Sequence, residues 1–389
     1  MPPTSGRVRS PLRLLLCFLI GAIAASATRA DDGPDVNWRI ATRDFPSVFA
    51  AWSLADNLKG ESPVVTLARH DLAIEGPDAF RLRWNNRFHG LADGFTPESL
   101  AAARTLRAAL RKLNPHLVLI AEIRYRDAPD NYLPADSRWW QWEGDVRKAG
   151  WAEGHYYMLD YASADFRGQV AKQAQTAMAT GLFDGVFFDW WKEDDDRVAL
   201  LQTVRAAIGE KALILVNTNE NKAPRSAPYV NGIYMECTRS ATIRDWARIA
   251  ETLRWAEAAL RSPRIDCLET WFHQSRQDLG LMRATTTLAL TVSDGYCLFC
   301  DPDPLPTPDH LHDWYGFWDK RLGRPSATGF QRPDGAWERA FAAGSAVYNP
   351  MGNPEIVVAF PVPRRQISTG KVATSFRLPA CDGDLFLKL

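Results

Sequence analysis

The sequence predicts an α/β fold, a TIM (β/α)8 barrel followed by a small C-terminal all-β domain of β-sandwich type. Short apolar runs alternate with helix-like segments from about residue 38 to 300, the pattern of a parallel sheet with crossover helices. Eight such runs fill a length that suits a barrel of ~250 residues. After Pro325 the pattern changes to short β runs between turn residues. A doubly wound open sheet is the rival arrangement, but no GxGxxG follows the first run.

The expected barrel strands are Ser47–Trp52, Asp71–Ile74, Leu117–Ile123, Gly185–Asp189, Leu213–Val216, Gly232–Met235, Ile265–Leu268 and Gly295–Phe299. The third and fifth are nearly continuous apolar sequence, as in strands buried on both faces. Between them, Thr96 caps a helix with Pro97 at its first position and a stripe of Leu100, Ala103, Leu106, Leu110 and Leu113; Asn114-Pro115 ends it. Ser163 precedes a helix with Phe166, Val170, Ala174 and Ala177 on one face, stopped by Gly181. Val198, Leu201, Val204 and Ile208 form the next stripe, and Ile243, Trp246, Ile249, Leu253 and Leu260 a longer one. Asp301–Pro308 reads as a proline-rich loop and Trp314–Lys320 as a helix. Strands are then expected at Ser345–Tyr348, Ile356–Phe360, Thr374–Leu378 and Leu385–Leu387, with turns at Asn349–Gly352 and Asp382–Asp384.

The N-terminus departs from the rest. Arg7, Arg9 and Arg13 precede an apolar run from Leu12 to Ala25 and small residues near Ala27 and Ala30, the layout of a secretory signal peptide. The run is short of the ~20 residues that span a bilayer. The expected organisation is therefore a signal peptide over 1–30, a barrel over 31–325 and a β domain over 326–389, in an exported chain, periplasmic or secreted, with no membrane association after cleavage. Removing 1–30 leaves 42 basic against 46 acidic residues, a net charge of −4, so a nucleic-acid footprint is not supported. Five cysteines remain, an odd number; Cys297 and Cys300 lie on an apolar run and read as buried thiols.

In a barrel, reactive groups sit at the C-terminal ends of strands. Asp189 is the first polar residue after Gly185-Val-Phe-Phe, and two tryptophans follow it; a carboxylate so enclosed has a shifted pKa. The plainer reading is a strand-end acid or helix cap. Glu236 follows Gly-Ile-Tyr-Met in the same way, two strands later, with a salt bridge to Arg239 as its plainer reading. Two carboxylates across one cleft are what acetal hydrolysis needs: one protonates the leaving oxygen, the other attacks the anomeric carbon or activates water. Asp189 is thus the expected nucleophile or base and Glu236 the general acid. Glu122, Arg124, Asn217, Glu269 and Asp294 are expected to position a poly- or oligosaccharide, with Trp52, Trp140 and Trp190 as stacking platforms. Indole faces stack on sugar C–H faces, and the chain has 15 tryptophans. No cofactor or metal is expected, because the carboxylates supply the chemistry. His310-Leu-His312-Asp313 is the one metal-like run. It keeps a metal-dependent polysaccharide deacetylase open as a lesser alternative, beside a non-catalytic glycan-binding barrel. There is no GxSxG elbow, P-loop or HExxH.

FDGVFFDWW, the Leu-Ile-Leu-Val-Asn strand, NGIYMECT, LETW and SDGYCLFCDPDPLPTPDHLHDWY together resemble the glycosyl-hydrolase-like family 15, a group of TIM-barrel glycosidase relatives. The fourth strand is also similar to that of endo-α-1,4-polygalactosaminidases and other retaining α-glycosidase relatives. The tail with AFAAGSAVYNP and DGDLFL resembles the β-sandwich that closes many barrel glycosidases. The resemblance implies the barrel fold and glycosidase chemistry, and it carries Asp189 and Glu236 onto the acid pair.

Overall fold

The computed structural model describes residues 35–301 and 310–389. The expected leader and the proline-rich run after Asp301 lie outside these residues. Eight parallel strands form one sheet in sequential order: β1 (Phe49–Ala51), β2 (Leu72–Glu75), β3 (Val118–Glu122), β4 (Gly185–Phe188), β5 (Leu213–Asn217), β6 (Gly232–Glu236), β7 (Cys267–Trp271) and β8 (Tyr296–Cys300). The sheet closes through a parallel bridge between Val48 and Cys297, where the Cys297 N–H donates to Ser47 O at 3.0 Å. This is the expected TIM barrel, with each strand within a few residues of its expected place.

The helices follow their local signals. α1 (Val36–Thr42) and α2 (Pro63–Ala68) flank β1. α3 (Pro97–Leu113) begins with the Thr96 side chain accepting from Ser99 N–H and ends at Asn114. α4 (Ala164–Ala179) is capped by Ser163, and α5 (Asp195–Ile208) by Asp194, with Gly209 at φ +75° closing it. A left-handed residue at a helix end favours glycine. α6 (Ile243–Ala259) opens with a capping box of Thr242 and Asp245. α7 (Leu279–Val292) has buried residues on every side, because it lies between the barrel and the C-terminal sheet. The helix expected over Trp314–Lys320 is absent. Gly316 sits within a turn there, and a glycine destabilises a helix interior. The Trp314 and Tyr315 rings each pack edge to face with Trp318 instead.

The C-terminal part is a six-stranded antiparallel sheet built from β9 (Phe330–Gln331), β10 (Trp337–Phe341), β11 (Gly344–Asn349), β12 (Ile356–Gln366), β13 (Val372–Leu378) and β14 (Asp382–Lys388), in the order β9-β10-β11-β14-β12-β13. Ala346, Tyr348 and Leu385 join the barrel core, while Val347 and Phe386, one residue away, join a separate cluster with Ile356, Val358, Phe376 and Leu378. Both faces are thus apolar, as strand alternation requires. Asp382–Asp384, expected as a turn, begins β14, and Arg283 of α7 holds Asp382 with bonds of 2.8 and 2.7 Å.

The two ends of the barrel differ in chemistry. At the foot, a polar residue preceding a strand repeatedly accepts from a neighbouring strand's backbone. Asp184 accepts from Leu119 N–H at 2.9 Å, Asn231 from Ile214 N–H at 3.2 Å and Asp266 from Ile233 N–H at 3.0 Å. Asp184 also binds Arg39 and Arg107. A glycine follows Asp184, and an added Cβ on Gly185 would lie 2.4 Å from Leu213 O, so the close approach of β5 needs glycine there. The mouth, by contrast, gathers left-handed residues other than glycine: Trp52, Trp190, Asn219 and His310, with φ between +52° and +57°.

Candidate active site

Parallel register decides which strand-end residues face inward. Glu122 pairs with Phe187, Phe187 with Leu215, Asn217 with Tyr234, and Glu236 with Glu269. Side chains alternate along a strand, so Glu122, Asp189, Asn217, Glu236 and Glu269 all point into the mouth from β3 to β7. Phe187 and Tyr234, with ring centroids 5.8 Å apart, form the apolar floor beneath them.

Asn217 ties the two expected catalytic acids together. Its Nδ2 donates to Asp189 Oδ1 at 2.8 Å and to Glu236 Oε2 at 2.7 Å, while its Oδ1 accepts from Asn219 N–H at 3.0 Å. The last bond fixes which end of the amide faces the acids, since a carboxylate oxygen can only accept from the nitrogen end. The two carboxylate oxygens are therefore no further apart than the two bonds laid end to end, about 5.5 Å. Asn219 also donates to Glu236 O at 3.0 Å.

The acids are poised differently. Burial, helped by the neighbouring charge of Glu122, raises Asp189 to about 6 against the pull of Asn217, the Trp190 N–H and Arg124. Burial raises Glu236 to about 8; His310 opposes the rise, while Glu269 and Asp189 add to it. Of the two, Asp189 is the more readily ionised and Glu236 the more readily protonated, the division of roles that acid–nucleophile chemistry needs.

Around them, Glu122 accepts from Trp52 Nε1 at 2.9 Å and pairs with Arg124 at 3.3 Å. Arg124 lies 4.8 Å over the Tyr156 ring, and Arg126 lies 4.4 Å over Trp190. Trp190 is 46% exposed and Trp52 partly so, which leaves both able to meet a sugar face. A cleft lined by Glu122, Arg124, Arg126, Asp189 and Trp190 opens beside Asp189.

Four expected substrate contacts are placed otherwise. Trp140 is buried, donating from Nε1 to Pro134 O at 2.9 Å, so it supports the long β3–α4 excursion rather than offering a stacking face. Asp294 precedes β8 at the foot of the barrel and pairs with Arg339 at 2.5 Å; it belongs to the same Asp-Gly pattern as Asp184. Asn217 is 3% exposed and spends its amide on the acids, so it positions them rather than the sugar. Glu269 is 0% exposed. Its carboxylate accepts from Tyr234 Oη, from Cys300 Sγ at 2.6 Å and from His310 Nδ1 at 2.7 Å. Tyr234, Cys300 and His310 are not among the expected site residues, although Tyr234 precedes Glu236 by two and so shares its face.

Glu269, Cys300 and His310 also bring three ligand-type atoms together. The His310 contact of 2.7 Å is a hydrogen-bond length and the Cys300 contact of 2.6 Å is closer than a thiol hydrogen bond; an ion ~2.0–2.3 Å from each donor would have to spread them. His310 and His312 diverge: His310 turns to Glu269, and His312 Nε2 meets His70 Nε2 at 3.0 Å. All five cysteines of the described residues are free thiols. No helix among these residues is long and apolar enough to cross a membrane.

No family model matches the chain, and no curated protein does. Solved structures do resemble it. The cyclic α-maltosyl-(1→6)-maltose hydrolase of Arthrobacter globiformis covers 90% of this chain and 99% of its own, with a TM-score of 0.52 and 12% identity. A maltogenic α-amylase of Thermotoga neapolitana gives a TM-score of 0.54 at 10% identity, covering 91% of this chain and 100% of its own. An α-amylase of Malbranchea cinnamomea gives 0.55 at 11%, covering 91% and 97%. The likeness spans both parts of the molecule and establishes an α-amylase-like barrel fold.

Proposed function

We propose that the chain is an exported glycoside hydrolase that cleaves an oligo- or polysaccharide by double displacement. The single observation that carries this reading is the Asn217 amide, which holds Asp189 and Glu236 within about 5.5 Å. That bound on the nearest oxygens lies below the ~6.5–9.5 Å between the carboxyl groups of an inverting pair and favours a retaining mechanism, in which they lie ~5–5.5 Å apart. Asp189 attacks the anomeric carbon while Glu236 gives its proton to the departing glycosidic oxygen. The sugar then sits on Asp189 as an ester. Glu236, now a carboxylate, takes a proton from water as it displaces Asp189. Trp52 and Trp190 offer sugar-stacking faces, and the fold shared with α-amylases supports the substrate class. The leader-like first 30 residues support export.

Digestion of a panel of α- and β-linked oligosaccharides, followed by proton NMR of the fresh product, tests the reading. Release of product with the substrate's anomeric configuration is expected. Inversion would remove Asp189 as nucleophile, and binding without cleavage would turn the protein into a glycan-binding barrel.

The pH dependence follows from the two acids. Below about 6 Asp189 gains a proton and no longer attacks; above about 8 Glu236 loses the proton it must donate. A bell-shaped profile of kcat/KM with limbs near those values is expected, since this parameter reports the free enzyme.

A further inference from the structure

We propose that Glu269 and His310 form a buried ion pair that positions Glu236 and balances its charge, with Tyr234 and Cys300 holding the Glu269 carboxylate in place. The inference rests on reading Glu236 as the proton donor. Glu236 and Glu269 are register partners on adjacent strands, and neighbouring strands lie ~4.8 Å apart. Two inward carboxylates that close disfavour each other's ionisation unless a cation intervenes. Glu269 is fully buried and three donors point at it, an arrangement suited to an anion. Among the described residues, His310 alone lies within ion-pair distance of it. A buried carboxylate without a countercharge is strongly unfavourable, so His310 is the group that supplies the charge.

The histidine is held for this task. Its ring lies 4.8 Å from Trp52, its carbonyl faces His312 Nδ1 at 3.1 Å, and its backbone is left-handed at φ +57°. The groups around it come from several elements: Tyr234 and Glu236 from β6, Glu269 from β7, Cys300 from β8, Trp52 after β1, and His312. Asp189 from β4 acts on Glu236 from the other side, through Asn217. His310 draws Glu236 down against burial, Glu269 and Asp189. Without that cation Glu236 would keep its proton too tightly to act as the base of the second half-reaction. Glu269 and His310 are thus positioning residues, acting through Glu236.

Nitrogen-15 NMR of labelled histidines tests the charge directly, in a chain with seven of them. At pH 7 the His310 ring is expected to show two protonated nitrogens, and one of them is expected to lose its proton in Glu269→Gln. Carbon-13 carboxyl NMR, with Glu236 assigned through Glu236→Gln, is expected to show its titration moving up by about one unit or more in His310→Gln. The upper limb of the kcat/KM profile moves with it. A purely structural role would lower stability and leave both titrations in place. A neutral His310 in the folded wild type, which needs no variant to fold, would overturn the proposal, as would an unmoved Glu236 titration in folded His310→Gln. If the titrations behave as expected and no glycoside is cleaved, the pair stands and the hydrolase reading falls. If glycosides are cleaved and the titrations stay unmoved, the hydrolase reading stands and the pair falls.

Discussion

Asp189→Asn is expected to lower turnover by at least about 10⁴-fold, the scale of losing a nucleophile, with the fold intact. The asparagine keeps the shape of the group and its place beside Asn217, but it offers no negative charge to the anomeric carbon. Glu236→Gln should behave differently, and the difference identifies each role. Loss of a general acid costs roughly 10²–10⁴-fold on natural leaving groups. It costs much less in the first step with a dinitrophenyl glycoside, whose phenolate leaves unaided. In that variant added azide should restore turnover and yield a glycosyl azide of retained configuration, because azide needs no base to displace Asp189. Wild-type turnover in Asp189→Asn would sink the assignment. Equal losses in Glu236→Gln on good and poor leaving groups, without azide rescue, would deny Glu236 the acid–base role.

Asp184→Ala is expected to destabilise the fold by about 3–5 kcal/mol, the range for removing one partner of a buried ion pair. Asp184 is contacted by Arg39 and Arg107, and it accepts from Leu119 N–H, all within the foot of the barrel. Burial alone would raise its pKa, but the two guanidinium groups and the backbone hold it below the usual carboxylate range. Burial lowers Arg107 to about 10 in turn. Removing the acid would leave two buried cations facing each other. Urea unfolding followed by tryptophan fluorescence measures the change. A midpoint within error of wild type would refute it. The sign with pH is also fixed. A depressed folded-state pKa gives stability that is present above the unfolded value and lost as pH falls through the folded one. The wild type should therefore lose this contribution in acid, and the variant should lack that part of the acid sensitivity.

Much of the barrel is legible in the sequence because its strands are short apolar runs closed by one polar residue, and its helices carry caps at Thr96 and Ser163. The mismatches have physical causes. α7 shows no stripe because it is covered by the barrel on one side and the sheet on the other. Asp294 departs from its expected place because Asp-Gly before an apolar run marks the foot of a strand, whereas Asp189 follows its run and marks the mouth. Trp140 and Trp190 look equally available in the sequence; only the fold of the β3–α4 excursion buries the first. The part of the site least visible is the floor, where β6, β7, β8 and the His310 segment converge. Long-range register decides that meeting, and no local spacing encodes it.

The left-handed residues at the mouth have a consequence for heat tolerance. Bulky side chains at such φ angles cost of order 1–3 kcal/mol each, and Trp52, Trp190 and His310 adopt them, as does Asn219, although asparagine enters this region readily. Glycine would relieve each one. It would also remove an indole over the cleft, the amide anchoring Glu236 or the imidazole beside Glu269. Selection of this chain for survival at high temperature would therefore keep the side chains at Trp52 and His310, because the buried contacts they make outweigh the relieved strain and glycine gives up more freedom on folding. A glycine at either position would leave the protein both easier to melt and slower to act.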